Sequence, residues 1–419
     1  MKFLYDIFIV CYPLIAKLLA TKNAKAKLWI DGRTTVFEQL KSALANNNHP
    51  VIWMHCSSLG EFEQGRPVAE QLKQQYPNHK LLITFFSPSG YEVQKNYAGA
   101  NWIFYLPMDS ALNATSFLNI VQPSLILFVK YEFWFYYLRE AKKRNIPLLL
   151  ISGIFRENQP FFKWYGSFHK QMLNYFTHLF VQNIKSKDLL QQIGFTDTVS
   201  ICGDTRFDRV LAIAQQFTPI PEIEHFVGNS PTIVAGSTWT EDDLELAHFV
   251  NTHPSIKCIV APHDISKSRL EQCLNYYKNA ILFSEWKTNA LHENTNYNCL
   301  IIDNIGMLSK LYYYATICYV GGGFGNDGVH NVLEAAVYNK PVIFGPEYEK
   351  FIEATELLEA DGAFTINSAV ELETVFNEIL KDEMAYKKAC NNAGNYVVSK
   401  AGATNKIVSF IYEKRLLTN

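Results

Sequence analysis

The stretch MHCSSLGEFEQGRP, residues 54–67, carries a carboxylate, Glu61, just after an apolar run has given way to small polar residues. A carboxylate at the start of a helix has two uses. The helix dipole favours its ionised form, and ionised is what a general base must be. The same residue can equally do no more than complement the dipole. Two more charged side chains stand at strand ends in this half of the chain: Glu132 after LILFVKY and Arg206 within CGDTRFD.

The second half offers a different chemistry. In VGGGFGNDGVHNVLEAAVYNKPVIFGP (320–346) a strand ends in three glycines and a helix begins at Asn331 or close by. Glycine lets a backbone approach a ligand, and a helix start presents unpaired N–H groups to an anion. The spacing is neither that of a dinucleotide fingerprint nor that of a phosphate-binding P-loop. Asn331 and Glu334 also stand at capping-box spacing, so a structural role competes with a ligand-binding one, and Glu334 can serve both the backbone and a ribose hydroxyl. Further strand ends converge here: Ser237 and Thr238, with Thr240 and Asp243 spaced as a capping box; Pro262 and His263, with Lys267 and Arg269 behind; and Ile305, Gly306 and Met307 at another helix start.

The elements that must position these residues alternate strand and helix. Strands are expected at 50–56, 80–87, 101–107, 125–130, 147–153, 178–183 and 199–204, then at 232–238, 256–262, 280–285, 298–303, 317–322 and 341–346. In RPVAEQLKQQY, Val68, Leu72 and Tyr76 recur on one helical face. Near-continuous apolar strands between helices predict parallel sheets covered on both faces. The proline-rich segment 217–231 reads as a linker with room for one short helix, and 367–419 reads as helices. The expected organisation is a membrane-associated N-terminal segment (1–33), an α/β domain (34–216), a linker (217–231), a second α/β domain (232–400) and a C-terminal helix (401–419). Ligands of such sheets bind beyond the carboxyl ends of the strands, which makes a cleft between the domains the default site.

At 419 residues the chain has room for two domains, and 48% hydrophobic with 19% charged residues excludes a disordered chain. A net charge of −2 gives no support to non-specific nucleic-acid binding. The eight cysteines form no CxxC pair and no metal-ligand spacing, and read as small core residues of a reducing compartment. The N-terminal run FLYDIFIVCYPLIAKLLA is apolar but broken by Asp6, Pro13 and Lys17, and Lys22, Lys25, Lys27 and Arg33 follow. It shows no cleavage site and is short for a bilayer span. A helix lying in the membrane interface, basic residues towards anionic headgroups, fits it better; the competing reading is a core helix of the first domain.

Taken together, these motifs resemble the bacterial 3-deoxy-D-manno-oct-2-ulosonic acid (Kdo) transferases of lipid A assembly. HCSSLGE resembles the family's His-x-x-Ser-x-Gly-Glu, YEFW its Thr-Glu-Leu-Trp, and GDTRFD its Gly-x-x-Lys-Phe-Asp; GST, APH, IGML and VGGG…HNVLEAA…PVIFGP resemble the donor-domain motifs. The resemblance covers nearly the whole chain in order. It implies an inverting GT-B glycosyltransferase: two Rossmann-like domains facing across a cleft, at the cytoplasmic face of the inner membrane, moving Kdo from CMP-Kdo to a lipid A precursor without metal or cofactor. It implies Glu61 as proton acceptor and Glu132 and Arg206 as transition-state stabilisers. Pro262, His263, Ile305, Gly306, Met307, Asn331, Val332, Leu333 and Glu334 fall on its CMP-binding segments. The chain departs from the family at several points. The Arg of Pro-Arg-His is missing, leaving His263, Lys267 or Arg269 to compensate; Arg206 stands for Lys; and Trp239 stands for His. The rival readings are a GT-B enzyme using a UDP-sugar, a sugar-nucleotide epimerase of the same fold, and a catalytically silent membrane-associated binding protein.

Overall fold

The computed structural model describes residues 1–288 and 296–418. The chain forms two compact units: residues 1–209 with 401–419, and residues 210–400. The first holds β1 (Val51–Cys56), β2 (Lys80–Phe85), β3 (Trp102–Tyr105), β4 (Pro123–Val129), β5 (Leu148–Gly153), β6 (His178–Val181) and β7 (Val199–Ile201). The second holds β8 (Thr232–Thr238), β9 (Lys257–Pro262), β10 (Ala280–Leu282), β11 (Cys299–Ile301), β12 (Ile317–Val320), β13 (Val342–Phe344) and β14 (Ala363–Thr365). The orders are β3-β2-β1-β4-β5-β6-β7 and β10-β11-β9-β8-β12-β13-β14. All the pairings are parallel.

Both sheets are doubly wound, as the strand–helix alternation predicts. In the first, the period-two alternation of side chains splits β1 between two cores. Val51 and Trp53 pack with Ile126 and Phe128 on one face; Ile52 and Met54 pack with Leu125 and Leu127 on the other. The central strands therefore carry apolar residues on both faces. The strand order reverses direction between β1 and β4, and between β8 and β12. Such switch points open a crevice at the carboxyl ends of the strands.

Four helices precede or follow β1: α1 (Lys2–Leu19), α2 (Ala24–Thr34), α3 (Val36–Leu44) and α4 (Leu59–Gln75). Gly65 lets α4 lie close on the sheet, since a Cβ there would sit 2.7 Å from the Met54 sulfur and 3.0 Å from Val129 Cγ2. The helix Ala403–Glu413 covers the same face, burying Ile407, Val408 and Ile411 with Leu72 and Tyr76. It is tied down by Asp208, whose carboxylate accepts from the backbone N–H of Gly402 (2.6 Å) and of Thr404 (2.7 Å).

Two expectations need correction. The segment 217–231 is part of the second unit, not a linker. Its helix Pro221–Val227 buries Ile223 and Phe226, and Trp286 Nε1 donates to the Glu222 carbonyl at 2.9 Å. The N-terminal segment is likewise built into the first unit. Ile9, Ala16 and Trp29 are buried, and the Tyr5 hydroxyl donates to Asp109. Its outer side nonetheless exposes Phe3, Leu4, Val10, Leu14 and Leu18. No helix among the described residues is long and apolar enough to cross a membrane. Arg33, expected to face lipid headgroups, turns inward instead. It donates to the carbonyls of Leu106, Trp29 and Phe86 and lies 4.0 Å from the Trp29 ring centroid. Of the cysteines, six are buried as expected, while Cys11 is exposed and Cys390 half-buried.

Candidate active site

Glu61 and Glu132 follow β1 and β4, the two strands that flank the switch point of the first sheet. Glu61 follows β1, in the first turn of α4, and is half-buried. Its Oε2 accepts from the backbone N–H of Ser58 (2.7 Å) and from the Ser58 hydroxyl (3.1 Å). Glu61 thus closes the N-terminus of α4 by reaching back to its N-cap. Both bonds fall on one carboxylate oxygen, Oε2. Burial raises the pKa of this carboxyl, and the charge of Glu132 raises it further, against the Ser58 bonds. A base poised above the usual carboxylate range removes a proton more effectively.

Glu132 follows β4 and is buried at 6% exposure. Its Oε2 lies 3.0 Å from His55 Nε2 and accepts from Trp134 Nε1 at 2.5 Å. His55, on β1, is wholly buried, with Nδ1 2.9 Å from the Thr84 hydroxyl. Sequence reasoning gave His55 and Trp134 no role, although both lie in the motifs it quoted.

Arg206 stands in the first turn of the helix Thr205–Gln215, after the edge strand β7. Its Nε donates to Asp204 Oδ2 (2.8 Å) and its backbone N–H to Asp204 Oδ1 (2.9 Å). Asp204 faces Gln64 Nε2 (3.4 Å), one turn on from Glu61 in α4. The Thr205 hydroxyl donates to the Gln64 carbonyl. The arginine is therefore oriented by a carboxylate that is itself keyed to the helix bearing Glu61.

In the second unit, Pro262, His263, Ile305 and Gly306 line one cavity of about 290 Å³, together with Ser237 and Asn304. The Asn304 side-chain oxygen Oδ1 is buried there without a hydrogen-bond partner among the described residues. Met307 and Asn331 to Glu334 do not line it. Their neighbour His330 is linked to it through a cluster of near-parallel rings: His263 packs against both Trp239 (4.5 Å between centroids) and His330 (4.7 Å), and Trp239 Nε1 donates to His330 Nε2 at 2.9 Å. Asn331 donates to Glu334 (3.0 Å) and accepts from Leu333 N–H (3.2 Å), a direct side-chain pair in place of the capping box that their spacing suggested; the residue before the helix is Val332. The helix is one short turn, Leu333–Ala336, and starts two residues later than expected.

The glycine run also reads differently in three dimensions. A Cβ on Gly321 would meet the Ser237 carbonyl oxygen at 2.5 Å, and one on Gly323 the Gly345 nitrogen at 2.6 Å. Those two glycines are required by neighbouring backbone. The cap of the helix Thr240–Thr252 is formed by Asp242 rather than by Thr240 and Asp243; Asp242 Oδ2 accepts from the N–H groups of Trp239 and Gly322, both at 2.8 Å. Asp243 instead pairs with Arg269 inside the domain, and Tyr277 donates to it at 3.0 Å. Arg269 is thereby committed to a buried ion pair. Lys267 is 91% exposed beside Glu271.

Two doubly wound seven-stranded parallel sheets, each with one switch point, give the GT-B class of glycosyltransferase fold. Residues 33–209 match the family profile described as 3-deoxy-D-manno-octulosonic-acid transferase (kdotransferase). The chain is 29% identical over 336 residues to the 3-deoxy-D-manno-octulosonic acid transferase of Aquifex aeolicus, covering 78% of this chain and 86% of that one. It is 28% identical over 396 residues to a bifunctional glycosyltransferase/methyltransferase of Fusobacterium nucleatum, covering 89% of this chain; it spans only 60% of that longer protein. Among solved structures, UDP-GlcNAc 2-epimerase from Neisseria meningitidis bound to UDP-GlcNAc has a similar fold, with a TM-score of 0.62 at 16% identity, covering 87% of this chain and all of that one.

Proposed function

We propose that this protein is an inverting transferase that moves Kdo from CMP-Kdo to a lipid A precursor. The observation that carries the reading is the pair Glu61 and Glu132 at the switch point of a sheet lying within the kdotransferase-like residues 33–209. Glu61 takes the proton of an acceptor hydroxyl as its oxygen attacks the anomeric C2 of Kdo. The bond from C2 to the phosphate oxygen of CMP breaks, and CMP leaves with the electron pair. One displacement inverts the centre, so a single base is sufficient. Glu132 and Arg206 stabilise the charge redistribution of the transition state, with Arg206 acting on the developing phosphate charge. Pro262, His263, Ile305 to Met307 and Asn331 to Glu334 hold the CMP portion of the donor. The exposed apolar side of α1, with Lys17, Lys22, Lys25 and Lys27, rests on the cytoplasmic face of the inner membrane.

The test is mass spectrometry of the product formed from purified protein, CMP-Kdo and a tetraacylated disaccharide precursor. The expected result is a product heavier by one or more Kdo residues. An unmodified precursor, from a protein whose melting temperature rises with UDP and not with CMP, would overturn the reading.

A further inference from the structure

A groove of about 300 Å³ runs between α1 and α2, walled by Tyr12, Ala16, Leu19, Ala26, Trp29 and Phe86. It is mostly apolar, and it opens beside the exposed apolar residues Leu14, Ile15 and Leu18 of α1. Lys25 stands at its wall, and Lys22 and Lys27 flank it in sequence. Trp29 is 5% exposed, yet its indole N–H has no hydrogen-bond partner among the described residues. A buried donor without a partner is costly unless something else satisfies it.

The wall of the groove connects to both candidate carboxylates, Glu132 and Glu61. Phe86 stacks on Trp134 (4.7 Å between centroids), and Trp134 donates to Glu132. Ser87, also in the groove wall, donates its backbone N–H to the Ser57 carbonyl at 2.7 Å, next to the Ser58 that holds Glu61. Arg33 fixes this wall by binding the carbonyls of Trp29 and Phe86.

From this juxtaposition we infer that the groove between α1 and α2 seats one acyl chain of the acceptor, and so sets the acceptor's sugar against Glu61; the inference rests on the transfer reading above. An anionic amphiphile fits each part. Its chain fills the apolar groove, the carbonyl of an ester- or amide-linked chain meets the Trp29 N–H, and its acidic headgroup meets the lysines.

The experiment uses the full chain and two variants that fill or polarise the groove, Ala26→Phe and Leu19→Gln. Transfer from CMP-Kdo is measured to the tetraacylated precursor and to the same disaccharide after deacylation. In both variants the ratio of kcat/KM for the acylated over the deacylated acceptor falls at least about tenfold, the effect of losing the burial of about two methylenes. An unchanged ratio overturns the inference. Independently, a brominated long-chain fatty acid quenches tryptophan fluorescence of the wild type, and Trp29→Phe identifies the responding residue. Ala26→Phe abolishes that quenching. Quenching that persists in Ala26→Phe means that the chain lies on the surface of α1, and overturns the groove. Quenching lost with the ratio unchanged means that the groove holds membrane lipid, and overturns the acceptor assignment. If the wild type transfers to neither acceptor, the transfer reading itself has failed, and the quenching alone decides whether the groove takes a chain.

Discussion

His55 Nε2 stands 3.0 Å from Glu132 Oε2, although the two residues are 77 positions apart in the chain. Trp53 Nε1 donates to the Thr84 hydroxyl at 2.8 Å, and His55 Nδ1 lies 2.9 Å from that hydroxyl and 3.1 Å from the Thr84 carbonyl oxygen. The Trp134 indole N–H is shared between His55 Nε2 (3.2 Å) and Glu132 Oε2 (2.5 Å). The imidazole and the indole thus close together on one carboxylate oxygen and fix its position. His55→Ala opens this cluster. We expect a loss of about 1–3 kcal/mol of stability in chemical denaturation, together with a fall in kcat larger than any rise in the donor KM. Unchanged stability and turnover would contradict a positioning role for His55.

Glu61 caps α4, and the proposed role as base can be separated from that one by a single substitution. Glutamine at the third helical position supports a capping box as glutamate does, so Glu61→Gln should keep its stability within about 0.5 kcal/mol. It cannot accept the acceptor's proton, and turnover should fall by about 10²–10⁴-fold. Calorimetry and a steady-state transfer assay check the two halves. Turnover near that of the wild type would remove Glu61 from the chemistry.

The pH dependence should show the influence of Glu132 on Glu61. Burial and then the Glu132 charge raise the Glu61 pKa. The acid limb of the kcat/KM profile therefore lies above the usual glutamate value of about 4.3. Glu132→Gln deletes the like charge, and the limb should move to lower pH while the overall rate drops. A limb that stays in place would show that the two carboxylates do not interact.

Asp109 gives a separate, structural pH dependence. Buried under α1, it accepts from the Tyr136 and Tyr137 N–H groups, both at 2.9 Å, and from the Tyr5 hydroxyl, and burial raises its pKa to about 6. A carboxyl with a raised folded pKa binds its proton more tightly in the folded state. Its contribution is therefore complete below the unfolded value of about 3.9 and is lost as pH rises through about 6. Wild-type stability, relative to Asp109→Asn, should decline across that window by up to about 3 kcal/mol. Parallel pH profiles for the two proteins would refute this.

Most of the architecture was legible because central parallel strands are apolar on both faces, and runs such as LLLISG announce themselves. The edge strand β14 was not read, since three residues, Ala-Phe-Thr, carry no periodicity. The cap at Asp242 was misplaced by one residue because three acidic residues, Glu241 to Asp243, follow one another, and only packing tells which turns back to Trp239. The role given to Gly321 and Gly323 changed for a similar reason, as their crowding comes from β8 and from Gly345, both remote in sequence. Glu61 and Glu132 could be nominated from strand ends. The link through His55 could not, because hydrogen bonding between distant segments leaves no local pattern. The basic residues after α1 looked alike in the sequence, yet Arg33 proved to be an internal brace.

The chain leaves the first unit at residue 209 and returns to it at 401. During synthesis, the sheet face beside α4 must therefore wait, still lacking Ile407, Val408 and Ile411, while nearly two hundred intervening residues are translated. The first domain to emerge from the ribosome is the last to be completed, and a fragment ending at residue 209 would expose an oily surface that invites chaperones or aggregation.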